Sequence, residues 1–212
     1  MVITFGCCVS SWEKFDRNVA PIAGERPVIT LTGQTSIARA YNTILSTDAA
    51  ATADAVVLLH DDLQITDPEW EVKVQAAVED PDVALAGVAG GRGVSSLAWW
   101  AAEAVGHQTT DAGLLDFGPR TGDVQSLEGS ILILSRWAVR NLRFDEEYEG
   151  FHGYDEVSFQ ALAAGKRVVV IDLDTHHHTA MGFRSEPSAR QWADANARFV
   201  GKWRHLLEGA PA

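Results

Sequence analysis

The chain contains 212 residues, of which 46% are hydrophobic and 22% charged, as expected of a globular protein with an apolar core. Its 17 Lys and Arg against 29 Asp and Glu give a net charge of -12. This balance argues against sequence-independent nucleic-acid binding, because such binding depends on clustered cations. The two cysteines, Cys7 and Cys8, are adjacent, so a disulfide framework is excluded.

The first part of the chain predicts alternating strands and helices. The run VITFGCCV indicates a strand rather than a signal peptide, because it lacks a cationic start and a long apolar stretch. Further strands are predicted at RPVITLT, DAVVLLH and VALAGVA, and helices at SIARAYNTILSTDAAA and DPEWEVKVQAAVED. No run approaches the roughly 18 apolar residues of a transmembrane segment, so we expect a cytoplasmic protein.

The rest of the chain continues the alternation after an irregular middle. LAWWAAEAVG suggests a short helix, and HQTTDAGLLDFGPRTGD suggests a loop or hairpin. SILILS and KRVVVIDLD are predicted strands, and YDEVSFQALAAG is a predicted helix closed by Gly165. SARQWADANARFVGKWRHLLEG predicts a terminal helix with an aromatic packing stripe. This order predicts an α/β fold with a mostly parallel sheet flanked by helices.

The predicted strand VVLL runs directly into His60, Asp61 and Asp62. Ligands of parallel sheets bind beyond the carboxyl ends of the strands, and carboxylate oxygens there suit Mg²⁺ or Mn²⁺. Such a cation would neutralise a diphosphate and stabilise it as a leaving group. The alternative is a turn in which one Asp caps the next segment.

Three consecutive histidines follow the last predicted strand, in DLDTHHHTAMG. In extended geometry His176 and His178 share one face and His177 takes the other. One imidazole is a candidate to complete the metal shell. A three-histidine zinc site is disfavoured, because successive residues cannot all converge on one ion. A polar surface loop is the alternative.

The segment FDEEYEGFHGYDE places carboxylates before and within the first turn of a helix. Asp155 or Glu156 is a candidate general base that deprotonates a hydroxyl for attack at an electrophilic carbon. Alternatively, these acids only complement the helix dipole. Trp99 and Trp100 are candidates for stacking on a sugar ring or for packing.

Five motifs in order resemble the GT-A glycosyltransferases, specifically the small glycosyltransferase-like branch related to family 2. The motifs are the helix ending in Tyr41 and Asn42, the strand ending in HDD, LEGSILILSR with Glu128 in place of Asp, FDEEYEGFHGYDE, and the late His177, His178 and Thr179. They cover most of the chain, from TSIARAYN to ARFVGKW.

The resemblance implies a GT-A-like fold and roles for the matching residues. Asp62 would bind Mn²⁺ or Mg²⁺ together with His177, with His176 and His178 as further candidates, and Asp155 or Glu156 would be the base. We expect the nucleotide sugar at Arg39, Asn42, His60 and Asp61. We expect the acceptor at Glu128, Gly129, Trp99 and Trp100.

The resemblance also implies metal-dependent transfer of a sugar, with inversion, from a UDP-, GDP- or dTDP-linked donor to a glycan, protein or small-molecule acceptor. The alternatives are a metal-dependent hydrolase that uses the HDD and histidine residues, and a non-catalytic nucleotide-sugar-binding protein. Within a single domain we expect a nucleotide-binding half at residues 1–91, an acceptor and catalytic half at 92–185 and a packing helix at 186–212. No nucleic-acid partner is expected, and the oligomeric state is open.

Overall fold

A computed structural model describes residues 1–148, 153–178 and 189–207. Its strands are β1 (Ile3–Val9), β2 (Val28–Thr32), β3 (Ala55–His60), β4 (Leu63–Ile65), β5 (Val83–Gly87), β6 (Ala89–Arg92), β7 (Glu103–Thr110), β8 (Gly113–Asp116), β9 (Gly122–Val124), β10 (Ser126–Leu127), β11 (Ile131–Ser135), β12 (Arg167–Val170) and β13 (Thr175–His177). Its helices are α1 (Trp12–Asn18), α2 (Ala20–Ala23), α3 (Ile37–Leu45), α4 (Asp48–Thr52), α5 (Trp70–Glu79), α6 (Arg136–Asn141), α7 (Gly153–Ala163) and α8 (Ala189–Leu207). A 3₁₀ turn spans Trp99–Ala101.

The larger of the two sheets has the strand order β2-β1-β3-β11-β5-β12-β9. β1 pairs in parallel with β2 and β3, and β5 pairs in parallel with β12. The predicted α/β fold is confirmed. β1, β2, β3, β5 and β12 run in the same direction, but β9 is antiparallel to β12, so the sheet is mixed. The predicted strand SILILS, now β11, is antiparallel to both of its neighbours, β3 and β5. Every residue of β11 is buried, and a uniformly apolar run does not encode the direction of a strand.

A second sheet has the order β10-β6-β7-β13-β4, with β8 paired to β7. β7 has 8 residues, and the other strands of this sheet have 2 to 4. The helix predicted at LAWWAAEAVG is wrong, because only the 3₁₀ turn forms before the chain enters β7. Close contacts explain the glycines of β6. A Cβ on Gly91 would lie 2.6 Å from the carbonyl oxygen of Trp99, and a Cβ on Gly90 would overlap the carbonyl of Ser126.

The core lies on both faces of the larger sheet. In β3, Val56 and Leu58 enter one apolar cluster, and Val57 and Leu59 enter another. This division follows from the alternation of side chains along a strand. Because β3 is apolar on both faces, its first polar side chain occurs at its end, at His60.

The chain passes from the larger sheet to the second sheet at the end of β3. β3 ends at His60 and β4 begins at Leu63, so Asp61 and Asp62 form the connection. β4 pairs with β13 in an antiparallel register that places Leu63 opposite His177. This pairing brings the late histidines beside the HDD sequence.

The terminal helix α8 packs against α7. Phe199 and Trp203 lie beside Phe159, with ring centroids 4.8 Å and 6.0 Å away. The division of the chain at residues 91 and 185 stays a prediction. In the three ranges that the structure describes, no helix has the length and apolar character needed to cross a membrane.

Candidate active site

Three side chains of types that can ligate a metal ion meet where the two sheets join. His60, Asp62 and His177 each offer a ligand atom, and these atoms lie within 4.8 Å of one another. His177 Nε2 is 3.2 Å from Asp62 Oδ1. Lys14 of α1 donates from Nζ to Asp62 Oδ2 at 3.2 Å. The HDD and histidine motifs, far apart in the sequence, therefore contribute to one cluster.

Backbone hydrogen bonds position this cluster. His60 N donates to the carbonyl oxygen of Ser130 at 3.0 Å, and His178 N donates to the carbonyl oxygen of Asp62 at 2.8 Å. Side chains alternate along β13 as predicted, so His177 faces Asp62. His176 and His178 face a different residue, Asp111.

The pKa values of Asp62 and His60 suit cation binding. Burial alone would raise the pKa of Asp62, but the hydrogen bond and charge of His177, helped by His60 and Lys14, bring that pKa well below the usual range. Burial and the neighbouring His177 lower the pKa of His60. At neutral pH Asp62 is therefore ionised and His60 neutral, and these are the states that bind a cation.

Tyr154 links His60 to the start of α7. Its hydroxyl oxygen is 3.0 Å from His60 Nε2. The buried ring lies so close to Gly129 that a Cβ there would overlap it. A glycine is therefore required at position 129 for Tyr154 to reach His60.

Asp61 anchors the loop between β1 and α1. Its Oδ2 accepts hydrogen bonds from Ser10 N at 2.6 Å, Ser10 Oγ at 2.8 Å and Ser11 N at 2.9 Å. Asn18 Nδ2 donates to the carbonyl oxygen of Asp61 at 3.0 Å. These bonds hold in place the loop and helix that carry Lys14.

Asp155 lies buried in the first turn of α7. Its Oδ1 accepts a hydrogen bond from Ser126 Oγ at 2.5 Å. Burial raises the pKa of Asp155 to about 7; the hydrogen bond from Ser126 opposes this rise, and the charge of Glu128 adds to it. A carboxyl group with this pKa can exchange a proton near neutral pH.

Glu128 is a second carboxylate in the same region. Its Oε2 accepts hydrogen bonds from Ser130 N at 2.9 Å and Ser130 Oγ at 2.5 Å. Gln108 Nε2 donates to Ser130 Oγ at 2.7 Å. The charge of Glu128 acts on the pKa of both His60 and Asp155, so Glu128 lies within electrostatic reach of both.

Glu156 makes contacts of a different kind from those of Asp155. Its carboxylate is 0% exposed and forms an ion pair with Lys202 of α8 at 2.5 Å. Gln160 Nε2 donates to it at 2.6 Å. Glu156 thus ties α7 to α8.

Arg39 and Asn42 of α3 hold the segment that precedes α7. Asn42 Oδ1 accepts from Phe144 N at 2.8 Å, and Asn42 Nδ2 donates to Phe144 O at 2.9 Å. Asn42 Nδ2 also donates to Glu146 Oε1 at 3.0 Å, and Arg39 Nε lies 3.4 Å from Glu146 Oε2. Both side chains therefore connect α3 to residues 144–146.

The two adjacent tryptophans differ in exposure. Trp99 is 8% exposed and packs edge-on against Phe117, with ring centroids 5.5 Å apart. Trp100 is 48% exposed. Trp99 therefore contributes to the core, whereas Trp100 presents aromatic surface to solvent.

Residues 4–202 match the sequence model of a family described as "Glycosyltransferase like family". The chain belongs to this family. It is also 35% identical over 195 residues to the streptomycin biosynthesis protein StrF of Streptomyces griseus, a match that covers 86% of this chain and 69% of that protein. The predicted resemblance is confirmed, and the protein is a glycosyltransferase.

Solved glycosyltransferases share the fold at low sequence identity. GalNAc-T7, solved with UDP, GalNAc and Mn²⁺, matches with a TM-score of 0.68 and 11% identity over 98% of this chain and 50% of that chain. The mannosyltransferase PcManGT from Pyrobaculum calidifontis, in complex with GDP-Man and Mn²⁺, matches with a TM-score of 0.59 and 12% identity over 99% of this chain and 65% of that chain. This glycosyltransferase therefore spans half of the first chain and just under two thirds of the second. The likenesses confirm the predicted GT-A fold.

Three side chains at the site of this glycosyltransferase, Lys14, Tyr154 and Ser126, were not predicted from the sequence. Lys14 lies on a short helix in a polar stretch, and Ser126 lies on a strand of 2 residues. Neither setting carries a recognisable pattern. Tyr154 stands directly before Asp155 in the GYDE motif. This neighbouring position was the one sequence feature that could have indicated a role for Tyr154 at the site.

Proposed function

We propose that this glycosyltransferase moves a sugar from a nucleoside-diphosphate sugar to an acceptor hydroxyl, in a reaction that requires a divalent cation and inverts the anomeric carbon. The observation that carries this proposal is the cluster of His60, Asp62 and His177 beyond the carboxyl end of β3. Ligands of such sheets bind at this edge. GalNAc-T7 and PcManGT, which share the fold, were solved with Mn²⁺ and with UDP or GDP-Man, respectively.

The residues of the cluster fit Mn²⁺ or Mg²⁺. Asp62 supplies an ionised carboxylate, and His60 and His177 supply imidazole nitrogens, which Mn²⁺ accepts beside oxygen ligands. Lys14, paired with Asp62 at 3.2 Å, adds positive charge that would favour a diphosphate. A bound divalent cation neutralises the diphosphate and stabilises it as a leaving group.

Asp155 would act as the general base. Its pKa of about 7 allows it to take the proton of the acceptor hydroxyl at neutral pH, while Ser126 holds the carboxylate in position. The hydroxyl oxygen then bonds to the anomeric carbon from the face opposite the diphosphate. The bond from that carbon to the diphosphate oxygen breaks, and the nucleoside diphosphate leaves with the electron pair.

Other side chains would bind the substrates. Glu128, oriented by Ser130, would accept a hydrogen bond from the acceptor, and the exposed ring of Trp100 would stack on a sugar. Arg39 and Asn42 would act at the nucleotide through the segment 144–146, which they hold. The acceptor would be a glycan, a protein or a small molecule with a free hydroxyl.

Thermal unfolding with nucleotides tests the donor and the cation together. The ligands are UDP, GDP, dTDP and CDP, each with and without Mn²⁺. At a ligand concentration about 100 times Kd, binding adds roughly 2.7 kcal/mol, and Tm rises by about 5 to 10 °C for a chain of this size. We expect one nucleotide to raise Tm only with Mn²⁺, in the wild type and in Asp16→Asn, a control at an exposed carboxylate of α1. Asp62→Asn should abolish the rise.

Two outcomes would contradict the proposal. If a nucleotide raises Tm without Mn²⁺ and also in Asp62→Asn, nucleotide binding does not depend on the cation. Stabilisation by Mn²⁺ alone that Asp62→Asn abolishes, with no response to any nucleotide, would argue against a nucleotide-sugar donor and favour metal-dependent hydrolysis.

A further inference from the structure

A second cluster of histidine and carboxylate side chains lies on the face of β13 opposite to His177. Asp111, in the turn between β7 and β8, joins His176 and His178, and their ligand atoms lie within 4.8 Å of one another. His176 Nε2 is 3.1 Å and His178 Nδ1 is 3.2 Å from the same oxygen, Asp111 Oδ1. The two imidazole rings stack with centroids 4.0 Å apart.

We infer that this cluster binds a divalent cation of the zinc class at a site separate from that of sugar transfer. Two imidazoles and a carboxylate form a three-ligand set that leaves one tetrahedral position for water. Bonds of about 2.0 to 2.1 Å to Zn²⁺ place tetrahedral ligand atoms about 3.4 Å apart. The distances of 3.1 and 3.2 Å in this cluster are close to that spacing, so a small movement would admit the ion.

The geometry of β13 keeps the two clusters apart. Successive residues of a strand face opposite sides, so His177 cannot join the cluster of Asp111, nor His176 that of Asp62. The second cluster is also open to solvent. The side chains of Asp111, His176 and His178 are 53%, 31% and 27% exposed, so an ion can reach them directly.

A bound ion would cross-link the β7–β8 turn and β13 through its ligands. The turn is closed by Thr110, whose Oγ1 accepts from Ala112 N at 3.2 Å and donates to Gly113 O at 3.1 Å. β7 and β13 already pair in parallel, with His176 opposite Thr109. The ion would add a link between the turn and the strand, and would stabilise the folded chain by mass action.

Calorimetric titration with Zn²⁺ tests this site in a chain in which Asp62→Asn weakens the cluster proposed for sugar transfer. The comparison is Asp62→Asn against the double variant Asp62→Asn/Asp111→Asn. The control is Asp62→Asn/His205→Gln, which replaces an exposed histidine of α8. We expect Asp62→Asn and the control to bind Zn²⁺ equally. Adding Asp111→Asn should weaken binding by more than about 100-fold, because loss of even an outer-shell partner costs about 10- to 100-fold.

Absence of Zn²⁺ binding in Asp62→Asn, or an affinity unchanged by adding Asp111→Asn, would overturn the inference. Circular dichroism and melting in EDTA establish that each variant is folded. If Asp111→Asn prevents folding, His176→Gln in the same background takes its place with the same expected loss. Hydrogen exchange provides a second readout, because Zn²⁺ should slow exchange at residues 109–113 in Asp62→Asn and leave it unchanged in the double variant.

Discussion

Nε2 of His177 lies 3.2 Å from Oδ1 of Asp62, and the backbone register of β13 on β4 creates this contact by placing His177 opposite Leu63. The contact has an electrostatic consequence, because it offsets the effect of burial and keeps the Asp62 carboxylate ionised. The glycosyltransferase thus carries a charged carboxylate, held in place by His177, at the edge of its sheet.

Asp62→Asn is expected to lower kcat/KM for sugar transfer by at least about 100-fold, because a bound cation contributes several kcal/mol to the transition state. Asparagine keeps the shape of the side chain but not its charge. The measurement is the initial rate of donor consumption with Mn²⁺, with Asp16→Asn as the matched control. Wild-type rates in Asp62→Asn would exclude Asp62 from the metal site.

Asp155→Asn is expected to lower kcat by about 10²- to 10⁴-fold, the usual contribution of a general base. Nucleotide-induced thermal shifts should remain as in the wild type. The wild-type kcat/KM should rise with pH through about 7, where half of the Asp155 carboxyl groups are ionised, and level off at higher pH. Glu128→Gln should raise KM for the acceptor and keep the rise with pH, but move it to lower pH, because the charge of Glu128 no longer adds to the pKa of Asp155. If Glu128→Gln abolishes the rise with pH and Asp155→Asn does not, Glu128 is the base.

The buried carboxyl of Asp155 should also make stability depend on pH. Its pKa is raised from 3.8 to about 7 in the folded chain, so the folded state keeps a proton that the unfolded state loses. Its contribution is therefore fully present below about pH 4 and is lost as pH rises to about 7, a change on the order of 4 kcal/mol. Urea unfolding at several pH values should show this decline in the wild type and a flatter profile in Asp155→Asn. Equal slopes in both chains would contradict the raised pKa.

Gly129→Ala is expected to destabilise the fold by about 1 to 3 kcal/mol, as overpacking of a core does. The new Cβ would overlap the ring of Tyr154, which would have to leave its position beside His60. Denaturant midpoints measure the loss. The control is Gly201→Ala, where no heavy atom lies near the added carbon. Equal midpoints for wild type and Gly129→Ala would mean that the ring moves without cost.

Lys202→Met is expected to destabilise the chain by about 1 to 3 kcal/mol, because it leaves the buried carboxylate of Glu156 without a positively charged partner. Gln160 alone cannot replace the ion pair of 2.5 Å. Turnover per folded molecule should stay at the wild-type level, since Glu156 joins two helices and is not proposed to take a proton. Glu156→Gln should cost less, because an amide still accepts a hydrogen bond from Lys202. If Glu156→Gln folds but has no activity, Glu156 is again a candidate for the general base.

Local patterns predicted much of the larger sheet. β3 and β5 were visible as apolar runs of strand length, and the alternation along THHH separated His177 from His176 and His178. The hairpin alternative for HQTTDAGLLDFGPRTGD is confirmed, because β7 and β8 pair across Thr110 and Gly113. The other strands of the second sheet escaped prediction because they have only 2 to 4 residues, so what identifies them is pairing with partners distant in sequence. The segment around Trp99 has helical composition, yet it turns into β7 because Gly91 lets the two backbones approach.

Apolar runs and polar breaks are local properties, so they predict the chemical types at the site and their places at the ends of strands. Local patterns also place Asp155 and Glu156 in the first turn of one helix. The partners of these two carboxylates, Ser126 for Asp155 and Lys202 for Glu156, depend on tertiary packing. The side chains of neighbouring residues in a helix point about 100° apart. The residues that they contact lie on β10 and α8, which come from distant parts of the chain and pack against α7. The same holds for Asp62 and His177, whose contact depends on a strand pairing that neither motif encodes.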